Sequence, residues 1–276
     1  MRVSIAELPI DLNVPINYVE ALIGFELFKS AYISASIIYN FQKADSLKIQ
    51  GENLYSEEGL SWWKDNGCFN LAVTRNGEDG PYVLLQANEN WHQIDIKSNV
   101  STSLRIFRTF SEIAFRTTLL FYEGLVVHAA AVKWNGKGIV FSAPAETGKT
   151  TQANLWKENL GATVLNGDRP ALRVINGKSI VYGTPWSGSS PDFQNASAPL
   201  AAIIMLEQDK GNSIHELSTR EAIGRLAARC FLPYWDHDLM DLALSNLEKI
   251  IQSVPVYLLR CRPDREAVEL VRQRVE

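Results

Sequence analysis

Residues 142–151 read SAPAETGKTT, and what this stretch folds into decides the architecture around it. The phosphate-cradling pattern G-x-x-x-x-G-K-[ST] fits at Gly148, Lys149 and Thr150 but meets Ala143 where its first glycine belongs. That departure matters only if position 143 needs a positive φ or has no room for a Cβ, and alanine adds the smallest side chain available. The flanks favour the pattern. Upstream, LVVHAAAVKW, the turn NGKG and then GIVFSA read as two strands joined by a short reversal. Downstream, TTQANLWKENLG reads as a helix that starts at the lysine and stops at Gly161.

Strand, loop and helix in that order let backbone N–H groups and the positive end of the helix macrodipole converge on an anion. The residues Ala145, Glu146, Thr147, Gly148, Lys149, Thr150 and Thr151 are therefore the expected ATP cradle. Within it the Lys149 ammonium reaches the β- and γ-phosphates and the Thr150 hydroxyl binds Mg²⁺, while the Glu146 carboxylate turns to solvent because it would repel phosphate. The bland alternative is a GKT turn before an ordinary helix, with a solvated lysine.

ATP chemistry also needs an acid at a nearby strand end. In ATVLNGDRPAL, Ala162 to Leu165 is a short apolar strand and Asp168 follows it, placed to ligate Mg²⁺ or take a proton from an acceptor hydroxyl. An ordinary Asp-Arg-Pro turn is the competing reading. Glu207 closes the apolar run AAIIMLEQ and reads as a strand-end surface acid rather than a metal ligand. Farther on, YGTPWSGSSPDFQN is a loop able to cover a substrate, with Trp186 either a platform for a ligand or a pin to the core. Arg169 and Arg220 are candidates for stabilising transferred charge.

The rest of the chain sets limits. With 276 residues and 46% hydrophobic content, it can bury one large core or two modest ones. A net charge of -4 gives no electrostatic reason to expect nucleic acid or an anionic membrane as partner. Cys68, Cys230 and Cys261 lack metal-ligand spacing and read as buried thiols in a reducing cytoplasm. No apolar run approaches membrane-spanning length, and the acidic N-terminus MRVSIAELPIDLNV is wrong for a signal peptide.

Residues 1–100 alternate strand-like stretches, VSIAEL, ISASIIYNF, CFNLAV and YVLLQAN, with breaks such as RNGEDG. This predicts a β-rich lobe interrupted by an amphipathic helix at INYVEALIGFELFKS, with Tyr18, Leu22, Phe25 and Leu27 or Phe28 on one face. A second helix, TSLRIFRTFSEIAFRTTLLFY, is capped by Ser101 or Thr102 and carries Leu104, Phe107, Ile113 and Leu120; the junction falls around it, giving lobes 1–100 and 101–276. CFLPYWDHDLMDLALSNLEKIIQSVP reads as a turn and an amphipathic helix, with Trp235 packed and His237 at the surface.

The succession VVHAAAV, NGKG, GIVFSAPAETGKTTQA and VLNGDRPAL resembles the kinase domain of HPr kinase/phosphorylase and its relatives, whose nucleotide site is related to that of ATP-using phosphoenolpyruvate carboxykinase. NGDRPAL, YGTPWSGS, APLAAIIMLEQ and VPVYLLRC are similar to small HPr-kinase-like proteins associated with modification of ribosomally made peptides, including lasso-peptide precursors. The resemblance spans about residues 124 to 262. It implies an α/β (α+β) P-loop domain of mixed β-sheets with flanking helices, in a cytoplasmic kinase that uses ATP and Mg²⁺ on a Ser/Thr hydroxyl of a peptide or protein, with homo-oligomers known among relatives. It also implies that Lys149 holds the β- and γ-phosphates, that Thr150 and Asp168 hold Mg²⁺, and that His128 sits near the acceptor. Such kinases usually carry two adjacent aspartates where this chain has Gly167-Asp168-Arg169, so one acid must serve as base or metal ligand. A small-metabolite kinase, a carboxykinase-like enzyme and a non-catalytic nucleotide-binding module stay open.

Overall fold

The computed structural model describes residues 1–31, 35–75, 77–78, 80–100, 104–188 and 190–276. Among them the chain forms two β-sheets and five α-helices, a mixed α/β architecture, and divides into two compact units: Met1–Phe121 with Pro233–Met240, and Tyr122–Leu232 with Asp241–Glu276. No helix among the described residues is long and apolar enough to cross a membrane.

In the first unit, β1 (Arg2–Ile5), β2 (Leu8–Asn13), β3 (Ile37–Lys43), β4 (Glu52–Glu57), β5 (Leu60–Asp65), β6 (Cys68–Thr74), β7 (Pro81–Ala87) and β8 (Gln93–Ser98) form one sheet ordered β1-β2-β3-β8-β7-β6-β5-β4. Alternation sets the buried face: Leu8, Ile10 and Leu12 on β2, then Ile37, Tyr39 and Phe41 on β3. Helix α1 (Leu104–Thr118) buries Phe107, Phe110, Ala114 and Phe115, the spacing of an amphipathic helix. Phe107 meets Phe25 and Phe41 edge-on at 5.7 and 5.6 Å, and the Thr118 hydroxyl donates to the Trp91 carbonyl at 3.0 Å.

Several expectations change here. VSIAEL is not one strand: Ala6 and Glu7 take φ of 49° and 63°, making a tight turn between β1 and β2. INYVEALIGFELFKS is not an α-helix but two 3₁₀ segments, Ile16–Leu22 and Glu26–Phe28, separated at Gly24 with φ 92°. Phe25 and Phe28 are buried while Leu27 is exposed, so Leu27 does not share their face. The caps Ser101 and Thr102, and the side chains of Tyr18 and Leu104, lie outside the described residues. Cys68 is exposed rather than buried, and all three cysteines are free. Trp235 packs as expected, stacked on Trp62 with centroids 3.9 Å apart, and His237 is exposed.

The second unit carries the questioned loop. Its strands are β9 (Gly124–Val126), β10 (Ala129–Trp134), β11 (Lys137–Ser142), β12 (Thr163–Asn166), β13 (Ala171–Ile175), β14 (Lys178–Tyr182), β15 (Ser197–Gln208), β16 (Ser213–Glu216) and β17 (Val256–Cys261). The order is β12-β10-β11-β15-β14-β13-β9, with β17 also on β15 and β16 on β17. The long β15 joins two surfaces: Ser197–Pro199 pair antiparallel with β14, while its later residues run parallel to β11 and β17. LVVHAAAVKW accordingly divides, since β9 pairs with β13 whereas β10 pairs with β11 and β12. His128 occupies the break rather than a strand.

Helices α2 (Lys149–Leu160), α3 (Thr219–Ala227), α4 (His237–Ser253) and α5 (Arg265–Val275) complete the set. Ala153 and Trp156 of α2 and Val268 and Val271 of α5 share one buried cluster with Ile139, Phe141, Ile204 and Leu206. This packing fixes where α2 starts relative to the strand that feeds it.

Candidate functional site

Ile139 and Phe141 point from β11 into the cluster beneath α2, and Ala143 continues the same alternation one step past the strand. Ala143 is fully buried there, and it is absent from the residues with positive φ. The first-glycine position therefore has an ordinary backbone and a filled pocket for its methyl. Left-handed backbone falls instead on Glu146 (φ 61°) and Gly148 (φ 108°), and a Cβ on Gly148 would meet nothing within 4 Å. Only glycine holds that conformation cheaply, and the space above it is open.

Gly148 caps α2 with no side-chain cap, and its carbonyl takes the first helical bond from the Gln152 amide at 2.9 Å. The N–H groups of Lys149, Thr150 and Thr151 consequently have no acceptor inside the helix. Lys149 is only 7% exposed; its ammonium donates to the carbonyls of Ala143 at 3.1 Å and Pro144 at 3.0 Å. Burial pulls its pKa below the ordinary value; nearby Asp168 opposes that and Arg229 adds to it. Thr150 and Glu146 are exposed, Thr147 donates its hydroxyl to the Ala145 carbonyl at 3.3 Å, and Gln208 reaches the Glu146 carbonyl at 3.4 Å. A cleft of about 540 Å³ opens over this turn, bounded by Glu146 to Gln152 on one side and by the ends of β15 and β17 on the other. Its size suits a cofactor-sized ligand.

Asp168 is held differently. Asn166, at the end of β12 and fully buried, accepts from the backbone N–H of Asp168 at 2.9 Å and of Arg169 at 2.6 Å. Its amide nitrogen donates to the carbonyls of Thr184 and Trp186, both at 3.0 Å, tying the 183–194 loop to the same turn. The Asp168 carboxylate then lies 3.1 Å from His128 Nε2 through one oxygen and 3.1 Å from Arg169 Nε through the other. Gly188 closes the arrangement: at φ 58°, a Cβ there would come within 2.1 Å of Asp168 Oδ2.

His128 is fixed by its backbone, which donates to the Arg229 carbonyl at 2.7 Å and accepts from the Ser142 hydroxyl at 3.0 Å. Burial lowers its pKa below 6.5, Lys149, Arg169 and Arg229 push the same way, and Asp168 partly opposes them. These influences favour the neutral imidazole, and its Nε2 faces the Asp168 carboxylate at 3.1 Å.

Lys149, Asp168, His128 and Arg169 therefore belong to one electrostatic neighbourhood, and Arg229, which no sequence signal marks, joins them. Arg220 is exposed in the first turn of α3, away from the helix end that leads to Arg229. Trp186 is 3% exposed, so it pins its loop and presents no ring face to a ligand, a correction to its reading as a platform. Glu207 is paired with Arg225 at 2.6 Å and Arg260 at 2.9 Å, the surface acid expected. Asn166 and Gly188 were not singled out by sequence; an Asn two residues before an Asp, the turn signature that suits Asn166, was the available sign.

Among the described residues no cluster of three or more His, Cys, Asp or Glu side chains could hold a metal ion by itself. Mg²⁺ needs less from the protein, since it keeps waters and phosphate oxygens and takes one or two protein donors. The exposed Thr150 hydroxyl and the Asp168 carboxylate fit that requirement chemically.

No known protein-family model matches the chain. No curated protein matches it either. Among solved structures, the HPr(Ser) kinase/phosphatase from Coxiella burnetii is similar at 12% identity and a TM-score of 0.33, over 54% of this chain and 94% of that one, a likeness too distant to carry an argument about fold or activity.

Proposed function

We propose that this chain binds ATP through residues 145–151 and transfers its γ-phosphoryl group to the hydroxyl of a serine or threonine in a peptide. The observation that carries the reading is the buried Lys149 ammonium, held by the Ala143 and Pro144 carbonyls at the head of α2 and sharing its electrostatic surroundings with Asp168. A lysine desolvated on its own loop, under a helix end with spare N–H groups, is arranged for a polyphosphate rather than for solvent.

In this reading the loop amides and Lys149 neutralise the phosphate oxygens while Asp168 orients the acceptor hydroxyl. The acceptor oxygen bonds to the γ-phosphorus, the bond to the bridging oxygen of ADP breaks, and the hydroxyl proton passes to Asp168. His128 and Arg169 hold that carboxylate in one orientation through its two oxygens. Mg²⁺, held by Thr150 and phosphate oxygens, would supply further neutralisation of phosphate charge and leave Asp168 as the base. The choice of a ribosomally made peptide as acceptor rests on the sequence resemblance alone.

The test is transfer of label from γ-labelled ATP with Mg²⁺ to a Ser/Thr-containing precursor peptide and, in parallel, to free serine, with Lys149→Ala as control. Label on the peptide that vanishes in the variant is the expected result. Label on serine alone would move the function to metabolite chemistry. ATP binding with no transfer would favour a nucleotide-binding module, the reading suggested by an Asp168 whose two oxygens are already engaged.

A further inference from the structure

Arg229 stands two residues past helix α3, far in sequence from the phosphate loop, yet the fold brings it to the site. Val127 pairs antiparallel with Cys230 in a single bridge, which sets Arg229 across from His128 and Phe231 across from Val126. The hydrogen bonds agree: the His128 amide donates to the Arg229 carbonyl at 2.7 Å and the Phe231 amide to the Val126 carbonyl at 3.3 Å. Side chains alternate along paired segments, so Arg229 and Phe231 share the face that carries His128, while the Cys230 thiol turns the other way and donates to the Leu226 carbonyl at 3.3 Å. On that face the Arg169 guanidinium lies over the Phe231 ring, 5.6 Å from its centroid, and His128 meets Asp168.

The charges gathered there do not balance. Arg169 pairs with Asp168 at 3.1 Å, and the Lys149 ammonium is held by two carbonyls rather than by an acid. Arg229, partly exposed, makes no ion pair or side-chain hydrogen bond among the described residues, although its charge acts on both Lys149 and His128. Three cations thus surround one carboxylate, in a chain whose net charge is -4. Like charges held together repel, and a partly exposed cluster of one sign concentrates anions. A guanidinium adds a planar fork that matches phosphate oxygens. Lys149 and the N–H groups at the head of α2 belong to the loop, whereas Arg229 stands beside the acid that would orient the acceptor. The group that passes between loop and acceptor is the γ-phosphoryl.

Resting on the nucleotide reading above, we propose that the Arg229 guanidinium binds the γ-phosphoryl oxygens of ATP from the Asp168 side, so that the site distinguishes a nucleoside triphosphate from a diphosphate. The same contact would hold the charge that spreads over those oxygens during transfer.

The full chain, as wild type, Arg229→Gln and Arg229→Lys, is titrated calorimetrically with MgATP and MgADP without peptide, then assayed for transfer of label from γ-labelled ATP to the Ser/Thr peptide. The wild type should bind ATP at least about tenfold tighter than ADP. In Arg229→Gln that ratio should fall by about tenfold through weaker ATP binding alone, and kcat by about a hundredfold. Arg229→Lys keeps the charge without the fork and should lie between the two. The pairing with His128 uses the Arg229 carbonyl, so both variants should keep the wild-type circular dichroism. Equal weakening of ATP and ADP, or an unchanged ratio in Arg229→Gln, would overturn the assignment and leave nucleotide binding standing. So would equal binding of ATP and ADP by the wild type, or an Arg229→Lys protein no better than Arg229→Gln in both ratio and kcat. No binding of either nucleotide by the wild type would overturn the nucleotide reading itself.

Discussion

The two halves of the site are built by different means. The loop proposed to hold phosphate is made of backbone: its parts are the N–H groups of α2's first turn, the left-handed Gly148 and the carbonyls of Ala143 and Pro144 that hold Lys149. The carboxylate half is made of side chains, with Asn166 fixing the turn, His128 and Arg169 taking one oxygen each, and Gly188 leaving room. A backbone-built half tolerates a changed letter where φ allows it, whereas a side-chain-built half should fail at single atoms. Each substitution below sets one half against the other.

Lys149→Ala should have the largest effect. Removing the loop's one buried ammonium should lower phosphoryl transfer by about a thousandfold, the scale of losing a preorganised charge at a transition state. The substitution also takes the donor from the Ala143 and Pro144 carbonyls, so the melting temperature should fall by a few degrees while circular dichroism still reports the folded chain. Collapse of the fold instead would mean that the loop is as dependent on side chains as the carboxylate turn.

Asn166→Ala comes next, and it should act on stability as well as on activity. The substitution removes the Asn166 amide from the Asp168 and Arg169 N–H groups and from the Thr184 carbonyl, while the Trp186 carbonyl keeps the Thr184 hydroxyl at 3.1 Å. A loss of about 3 kcal/mol is expected from chemical denaturation, because each abandoned buried polar group costs about 1–3 kcal/mol and some will find water. A change under about 0.5 kcal/mol would sink the claim that this amide organises the turn.

Gly188→Ala is smaller in volume yet aimed at one atom. The added Cβ would fall 2.1 Å from Asp168 Oδ2, which Arg169 holds from the other side, so the carboxylate must move. Transfer should fall by about a hundredfold, the usual penalty for displacing a reacting group by about an ångström. Stability should fall only by about 1–2 kcal/mol, the strain of a left-handed alanine. Equal losses in the two measurements would mean a folding defect and no positioning role.

The same contrast explains what could be read from the sequence. The strand, loop and helix from Lys137 to Leu160 were legible because the motif's residues are contiguous and each has a local backbone job. Asn135 and Gly136, both at positive φ, likewise announce the reversal before β11 in the ordinary letters of a hairpin. The turn at Ala6 and Glu7 was illegible, since neither residue belongs to the turn vocabulary, and only the pairing of β1 with β2 demands left-handed backbone there. The break at His128 was hidden for a related reason: LVVHAAAV contains no breaker, and the strand divides because its halves pair with β13 and β11, distant in sequence. Arg229 and Gly188 join the Asp168 surroundings through tertiary packing alone, so no local pattern could announce them.

Ala143→Gly is expected to have the smallest effect and tests the backbone half most directly. If a glycine were needed at the first position of the cradle, restoring it should tighten nucleotide binding. Ala143 has no positive φ, and its methyl is buried in the same cluster as Ala153 and Trp156. Removing that methyl therefore sacrifices apolar burial and adds backbone entropy to the unfolded chain, together about 1–2 kcal/mol of stability. Affinity for ATP and for tripolyphosphate should stay within about twofold, since the N–H groups that would meet the phosphates are carried by Gly148 and α2 rather than by residue 143. Tighter binding by the glycine variant would show that the alanine had distorted the cradle. A loss of stability with unchanged affinity would show that this position serves the core, and that the loop's competence resides in the conformation Gly148 supplies.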